Sequence, residues 1–452
     1  MRNLYGLAVP STVSDPESRP RLLSPTYAAI TIGMFALSVV VAFEALAVTT
    51  VMPTVAKDLD GLDLFALAFA APLASGVVGM VAAGTWSDRR GPVAPLVAAL
   101  AFFSVGLVVC GTAPSMEVLV AGRVLQGLGG GALAVVLYVL VGKVFPSELQ
   151  AALFASFAAA WVLPALFGPA LAAYIAHALG WRWVFLIAVA LTAASASLVA
   201  PSLRRLAPHQ PGAPAPRSRL VWVVVAAVAV LAIDRIAVVA VVVVVVALAK
   251  LLPAGSLLAR RGLPAVVAAR GLMSASFFCA QAYIVFVLEE NWDLSPGIAG
   301  LVLSFVGIVW AAGSQVSARV GDRVSDSAAM VWGNTLLLVG MASLAGTIWA
   351  DLHPAVAMAA FVVAAAGMGF GYPRTGVAML TASSDSDRGF NSSALAMADS
   401  LGSALTLSLA GVVYAAATHA GRDPFLEVFA LAAAVGALSV VSAVRTSATR
   451  PA

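Results

Sequence analysis

Charge is what this sequence has least of. Of 452 residues only 10% are Asp, Glu, Lys or Arg, against 62% hydrophobic, and the mean hydropathy is +1.00. A soluble domain carries roughly a quarter charged residues, so a water-soluble globular protein is excluded. Lysine is nearly missing: Lys57, Lys143 and Lys250 stand among 25 basic residues. The net charge of +4 comes with no basic helix and no aromatic-interleaved basic patch, so no nucleic-acid partner is expected. The two cysteines, Cys110 and Cys279, lie in apolar runs and read as small packing residues. The four histidines have no metal-ligand spacing. A phosphate-cradling loop is absent, because Gly142-Lys143 lacks both the earlier glycine and the following hydroxyl, and Gly-x-Ser-x-Gly does not occur. Neither an ATP-driven pump nor a hydrolase is expected, nor any cofactor or metal. Residues 1–26 are polar and hold no apolar core, so no cleavable signal peptide is expected.

What is present is apolar runs of helix length. A spanning helix needs about 20 such residues. Six runs, at about 27–52, 62–84, 92–112, 116–142, 150–176 and 182–203, form a first set. A second set lies at about 264–288, 296–318, 327–350, 354–381, 391–418 and 424–444. Between them come a basic Pro-rich linker, 204–219, and an apolar section, 220–252, interrupted by Asp234-Arg235. One helix over residues 220–250 would be roughly 46 Å long, too long for a bilayer core of about 30 Å. That section therefore reads as a helical hairpin, though two arms of about 14 residues are short for full spans. The expected architecture is all-α and membrane-integral: a tail at 1–26, a six-helix bundle at 27–203, the hairpin, a six-helix bundle at 264–444 and a tail at 445–452. About fourteen transmembrane helices are expected.

The halves echo each other. Gly79 stands nine residues before Asp88-Arg89, and Gly313 nine before Asp322-Arg323, each pair following the second run of its half. That is what an internal repeat gives. With fourteen spans and the N-terminus inside, most basic residues fall on the cytoplasmic side, and only Lys57, Arg182, Arg235 and Arg422 fall outside. This asymmetry orients the chain with both termini cytoplasmic.

Three motifs carry a resemblance. Gly84-Thr-Trp-Ser-Asp88-Arg89-Arg90-Gly91-Pro92 resembles the signature loop of the major facilitator superfamily, with Pro92 in place of the final arginine. Arg123-Val-Leu-Gln126-Gly127 resembles that superfamily's fourth-helix motif, and Gly168-Pro169 its antiporter motif. In the latter, Ala172 and Ala173 replace later glycines. Glu44, nine residues before Pro53, matches the acidic position of the fourteen-helix drug:proton antiporters. The resemblance implies two six-helix bundles around a central cavity, with two short helices between them. It implies a cytoplasmic latch at Gly84, Asp88, Arg89 and Gly91, and a kink at Gly168-Pro169. It also implies export of a small amphipathic compound by alternating access in exchange for protons, in a bacterial inner membrane, by a monomer. A facilitator or proton symporter of a metabolite or lipid-like molecule, and a non-transporting sensor, stay open as alternatives.

Depth along the helices adds two expected pairs. Glu44, the one charge in its run, lies roughly 13 Å from the outer end and Arg123 roughly 10 Å. A buried charge needs a partner, so these two are expected to pair and to sense protons. The same reasoning pairs Arg374 with Asp399 as a gate near the inner end of the second half. Gln126, Gln281 and Tyr283 are candidates for the substrate cavity.

Overall fold

The computed structural model describes residues 21–203, 217–321, 323–384 and 387–447. Most of the expected tail 1–26, most of the linker 204–219, Asp322 and the last five residues lie outside that range. Among the described residues the chain forms fifteen α-helices and no strand. The first bundle comprises α1 (Ala28–Asp58), α2 (Phe65–Arg90), α3 (Val93–Gly111), α4 (Met116–Val144), α5 (Ser147–Ala159), α6 (Val162–Leu179) and α7 (Arg182–Leu203). Then come α8 (Arg217–Leu231) and α9 (Ile233–Leu251). The second bundle comprises α10 (Leu263–Trp292), α11 (Pro296–Arg319), α12 (Asp326–Trp349), α13 (Pro354–Thr381), α14 (Arg388–His419) and α15 (Pro424–Val444).

Twelve of these helices are long and apolar enough to cross a membrane, not fourteen. The two expected extra spans are α8 and α9. The first has only 15 residues, and the second is broken at Ile236 (φ −137°, ψ 49°) beside Asp234-Arg235. The pair packs as a hairpin against α2 and α14, one helix from each bundle.

Proline accounts for two further departures. The fifth run is split at Ala160-Trp161 into α5 and α6. Pro164 cannot donate to the Ala160 carbonyl and its ring crowds that oxygen, so the helix restarts. Pro53, by contrast, does not close α1, which runs on to Asp58. Met52, Pro53, Val55 and Ala56 are buried, so packing holds the turn that the missing N–H weakens.

The repeat is structural as well. Within a membrane, helices gain little from apolar contact with one another and depend on close approach through small residues. A Cβ on Gly79 would collide with the Leu128 carbonyl of α4, and one on Gly313 would lie 3.1 Å from the Ala366 carbonyl of α13. In each half the second helix thus meets the fourth through this glycine. Gly79→Ala should lower the detergent melting temperature, at a cost of about 1–3 kcal/mol. Gly142→Ala, where a Cβ meets nothing within 4 Å, should leave it unchanged or slightly raised. Equal melting of the two variants would refute the close-packing assignment.

The bundles touch each other at the end that carries Lys57. There Lys57 Nζ of α1 pairs with Glu290 Oε2 of α10 at 2.7 Å. Beneath it the Phe65 ring meets those of Tyr283 (5.2 Å) and Phe286 (4.9 Å). Gly300 and Gly307 of α11 abut Thr50 and Ala165, and Gly411 of α14 abuts Ala66. The chain is therefore closed at the Lys57 end. Cysteines at 57 and 290 should be joined in high yield by a short bis-methanethiosulfonate, and a reductant should release them. The native Cys110 and Cys279 are buried and should not interfere. Failure of the two cysteines to cross-link would show that this end is not closed.

Candidate functional site

The centre of the first bundle is polar for a reason visible in α2. Pro72 has no N–H, so the Ala68 carbonyl four residues earlier loses its helical donor. Arg123 Nε of α4 supplies one at 3.0 Å. The same guanidinium donates through Nη1 to Gln126 Oε1 at 2.8 Å and forms an ion pair with Glu44 Oε1 of α1. Glu44 and Arg123 are only 8% and 4% exposed. The structure thus brings together the two residues that depth alone had paired. Gln126 belongs to the same group and is itself buried, with Nε2 left unpartnered. Removing two charges from water costs several kcal/mol per ion. Here three helices share that cost, because α1, α2 and α4 each contribute a group.

Gly168 and Pro169 of α6 lie close by. A Cβ on Gly168 would meet Phe43 and Leu46 of α1 at 3.7 and 3.9 Å, ordinary contact distances. Space therefore does not demand a glycine there. Pro169 sits 3.6 Å from a Cβ placed on Gly300, so it faces the second bundle. The predicted latch residues end α2: Asp88 and Arg89 are exposed, Gly84 approaches Val135, and Gly91 takes φ +80°, a conformation that favours glycine.

The expected pair Arg374–Asp399 does not form. Arg374 donates to Asp326 Oδ1 at 3.0 Å, to Ser317 Oγ at 3.0 Å and to the Ser317 carbonyl. Asp399 instead accepts from Arg270 Nη2 at 3.4 Å and from the Tyr372 hydroxyl at 2.8 Å. Depth placed Arg374 and Asp399 on a level, but depth does not fix direction around the helix. Residues 372 and 374 are about 200° apart on α13, so Tyr372 turns toward α10 and α14 while Arg374 turns toward α11 and α12. Arg270, a lone arginine inside an apolar run, was the available signal for the true partner. Pro373 repeats the device seen at Pro72: the Gly369 carbonyl it leaves free accepts from Ser314 Oγ at 3.1 Å.

Tyr283 is 1% exposed and sealed in the seam by Phe65 and Tyr414, so it lines no open cavity in this conformation. Gln281 alone of the three cavity candidates is half-buried.

A profile of the Major Facilitator Superfamily matches residues 34–288, more than half of the chain. The chain belongs to the Major Facilitator Superfamily. The matched region holds Glu44, the Gly84–Gly91 loop, Arg123 and Gly168-Pro169. Within the superfamily, the chain is 34% identical over 148 residues to multidrug resistance protein 3 of Bacillus subtilis, covering 33% of this chain and 29% of that one. It is 36% identical over 150 residues to a probable multidrug-efflux transporter of Mycobacterium tuberculosis, covering 33% of this chain and 32% of the other. The matches therefore span about a third of the length of these relatives. The fold is shared with a D-xylose-proton symporter (TM-score 0.66, 14% identity, 92% of this chain and 96% of the other). It is also shared with a peptide transporter bound to sulfate (TM-score 0.68, 14% identity, 91% and 94%). This superfamily member is a multi-pass helical membrane protein.

Proposed function

We propose that this transporter exports a small amphipathic compound by alternating access, in exchange for protons, across a bacterial plasma membrane. The observation that carries the reading is the buried Glu44–Arg123 pair, one carboxylate and one guanidinium held between α1, α2 and α4. Ionised Glu44 satisfies Arg123. Protonated Glu44 releases it to Gln126 and the Ala68 carbonyl, which already hold two of its nitrogens. The proton thus changes which contacts bind α1 to α4, and a site with differential contacts in two states can bias between them. Multidrug-efflux proteins among the relatives support the cargo class and the direction of transport.

The basic residues near the Asp88 end support a cytoplasmic position for that end and both termini, with the Lys57 end outside. The closed Lys57 seam then corresponds to a cytoplasm-facing state. Asp88 and Arg89 would latch the cytoplasmic side in the opposite state. The proton gradient supplies the energy, about 1.4 kcal/mol per pH unit for each exchanged proton.

Purified protein in liposomes, with and without an imposed pH gradient, tests the reading. Export that collapses when the gradient is removed, with proton release on substrate addition, is expected. Gradient-independent equilibration would make it a facilitator.

A further inference from the structure

The second bundle contains two ion pairs of different character. Arg374 is saturated, with bonds from Nε, Nη1 and Nη2 to Ser317 and Asp326. This is how a pair that only ties helices together is built. The other pair is not saturated. Arg270 Nε and Asp399 Oδ1 are buried atoms with no hydrogen-bond partner. Buried polar atoms are paired in the great majority of cases, so two orphans within one ion pair call for a reason.

Its surroundings supply one. The Arg270 guanidinium carbon lies 3.2 Å from the centroid of the Tyr372 ring. Trp310 stands edge-on to Tyr372 at 5.5 Å and 71°. Arg270, Trp310, Tyr372 and Asp399 come from α10, α11, α13 and α14, and all four are half-buried. A carboxylate bonded to a tyrosine whose ring face already carries a guanidinium, with a tryptophan packed against that tyrosine, is the arrangement that receives an organic cation. The bond from Arg270 to Asp399 is long at 3.4 Å, while Nη1 is anchored separately on Thr375 Oγ1 at 2.9 Å and the Tyr372 carbonyl at 3.3 Å.

We propose that Asp399, Tyr372 and Trp310 form a binding site for an organic cation, and that Arg270 occupies it as a tethered stand-in while the transporter is empty. An incoming cation takes the carboxylate and the Tyr372 ring face, with Trp310 backing that ring. Arg270 swings aside on its Thr375 anchor and the charge count of the site is kept. A neutral molecule would leave Arg270 in place and gain neither partner. The inference deepens the transport reading by naming a substrate class, but binding here does not depend on proton exchange.

The test is equilibrium binding of tetraphenylphosphonium to the purified full-length chain in lipid nanodiscs, with neutral triphenylphosphine oxide as the comparison. Arg270→Gln removes the competitor and should tighten binding about fivefold, whereas Asp399→Asn should weaken it about tenfold. Tyr372→Leu should weaken it about fivefold, with Tyr372→Phe within about twofold of wild type. The neutral probe should respond to none of these changes. Tighter binding cannot come from misfolding, so Arg270→Gln decides the matter even if Asp399→Asn does not fold. Unchanged or weaker binding by Arg270→Gln, or unchanged binding by a folded Asp399→Asn, overturns the proposal. If such a chain still exports in a gradient-dependent way, the exporter reading survives without this site. If export fails while Arg270→Gln binds more tightly, the site stands and the exporter reading falls.

Discussion

Arg123→Met should cost the folded transporter about 3–5 kcal/mol, the range for breaking a buried ion pair from one side. The loss is larger than a missing contact because three groups are stranded together. Glu44 loses its counter-charge, the Ala68 carbonyl loses the donor that Pro72 cannot provide, and Gln126 Oε1 is left with only the weak Cys110 thiol donor at 4.0 Å. Arg123→Lys should recover only part of the loss, since an ammonium cannot reach three acceptors in a plane as the guanidinium does. Thermal or denaturant unfolding in detergent measures both. A melting temperature within a degree of wild type for Arg123→Met would show that the pair contributes nothing to folding.

Glu44→Gln should lower the melting temperature, because it leaves the buried Arg123 charge without a counter-ion, and in the chain that still folds it should remove uphill transport. The amide keeps the size and an acceptor for Arg123, but it cannot take up a proton. Under an imposed gradient of two pH units, one-for-one exchange can sustain about a hundredfold accumulation, since each unit is about a factor of ten. The variant should bring that ratio close to one. Exchange of labelled for unlabelled substrate without a gradient should persist, because it needs alternating access and no net proton transfer. Proton release on substrate addition should disappear in the same preparation. Retained accumulation in Glu44→Gln would move the proton site elsewhere. Loss of exchange along with accumulation would make Glu44 a binding or structural group instead.

Much of this was legible in the chain, and the reasons are specific. Apolar run length places the twelve long helices, because a membrane leaves the backbone no other way to satisfy its polar groups, but it overcounted the spans by reading the α8–α9 section as two more. Glu44 and Arg123 were found because each is a charge well inside an apolar run and rise per residue converts position into depth. The same arithmetic failed for Arg374 and Asp399. Depth is one coordinate, and the azimuth of a side chain depends on how each helix is rotated against its neighbours. On α13 two residues separate Tyr372 from Arg374, and they serve different pairs. Pro72 and Pro373 were readable as breakers of a bond, but which donor would answer each free carbonyl was not.

By itself the sequence determined the twelve long apolar helices, their division into two sets, the family motifs and the need for charge partners inside the bundle. Those follow from composition and from distances along one chain. Only the tertiary structure decided that the hairpin at α8 and α9 falls short of two further spans, and that Tyr283 lies in a closed seam. It alone gave Asp399 to Arg270 and Arg374 to Asp326. The physical reason is common to all of these: they depend on rotation and approach between helices, which are set by many small residues packing at once and leave no local periodic mark.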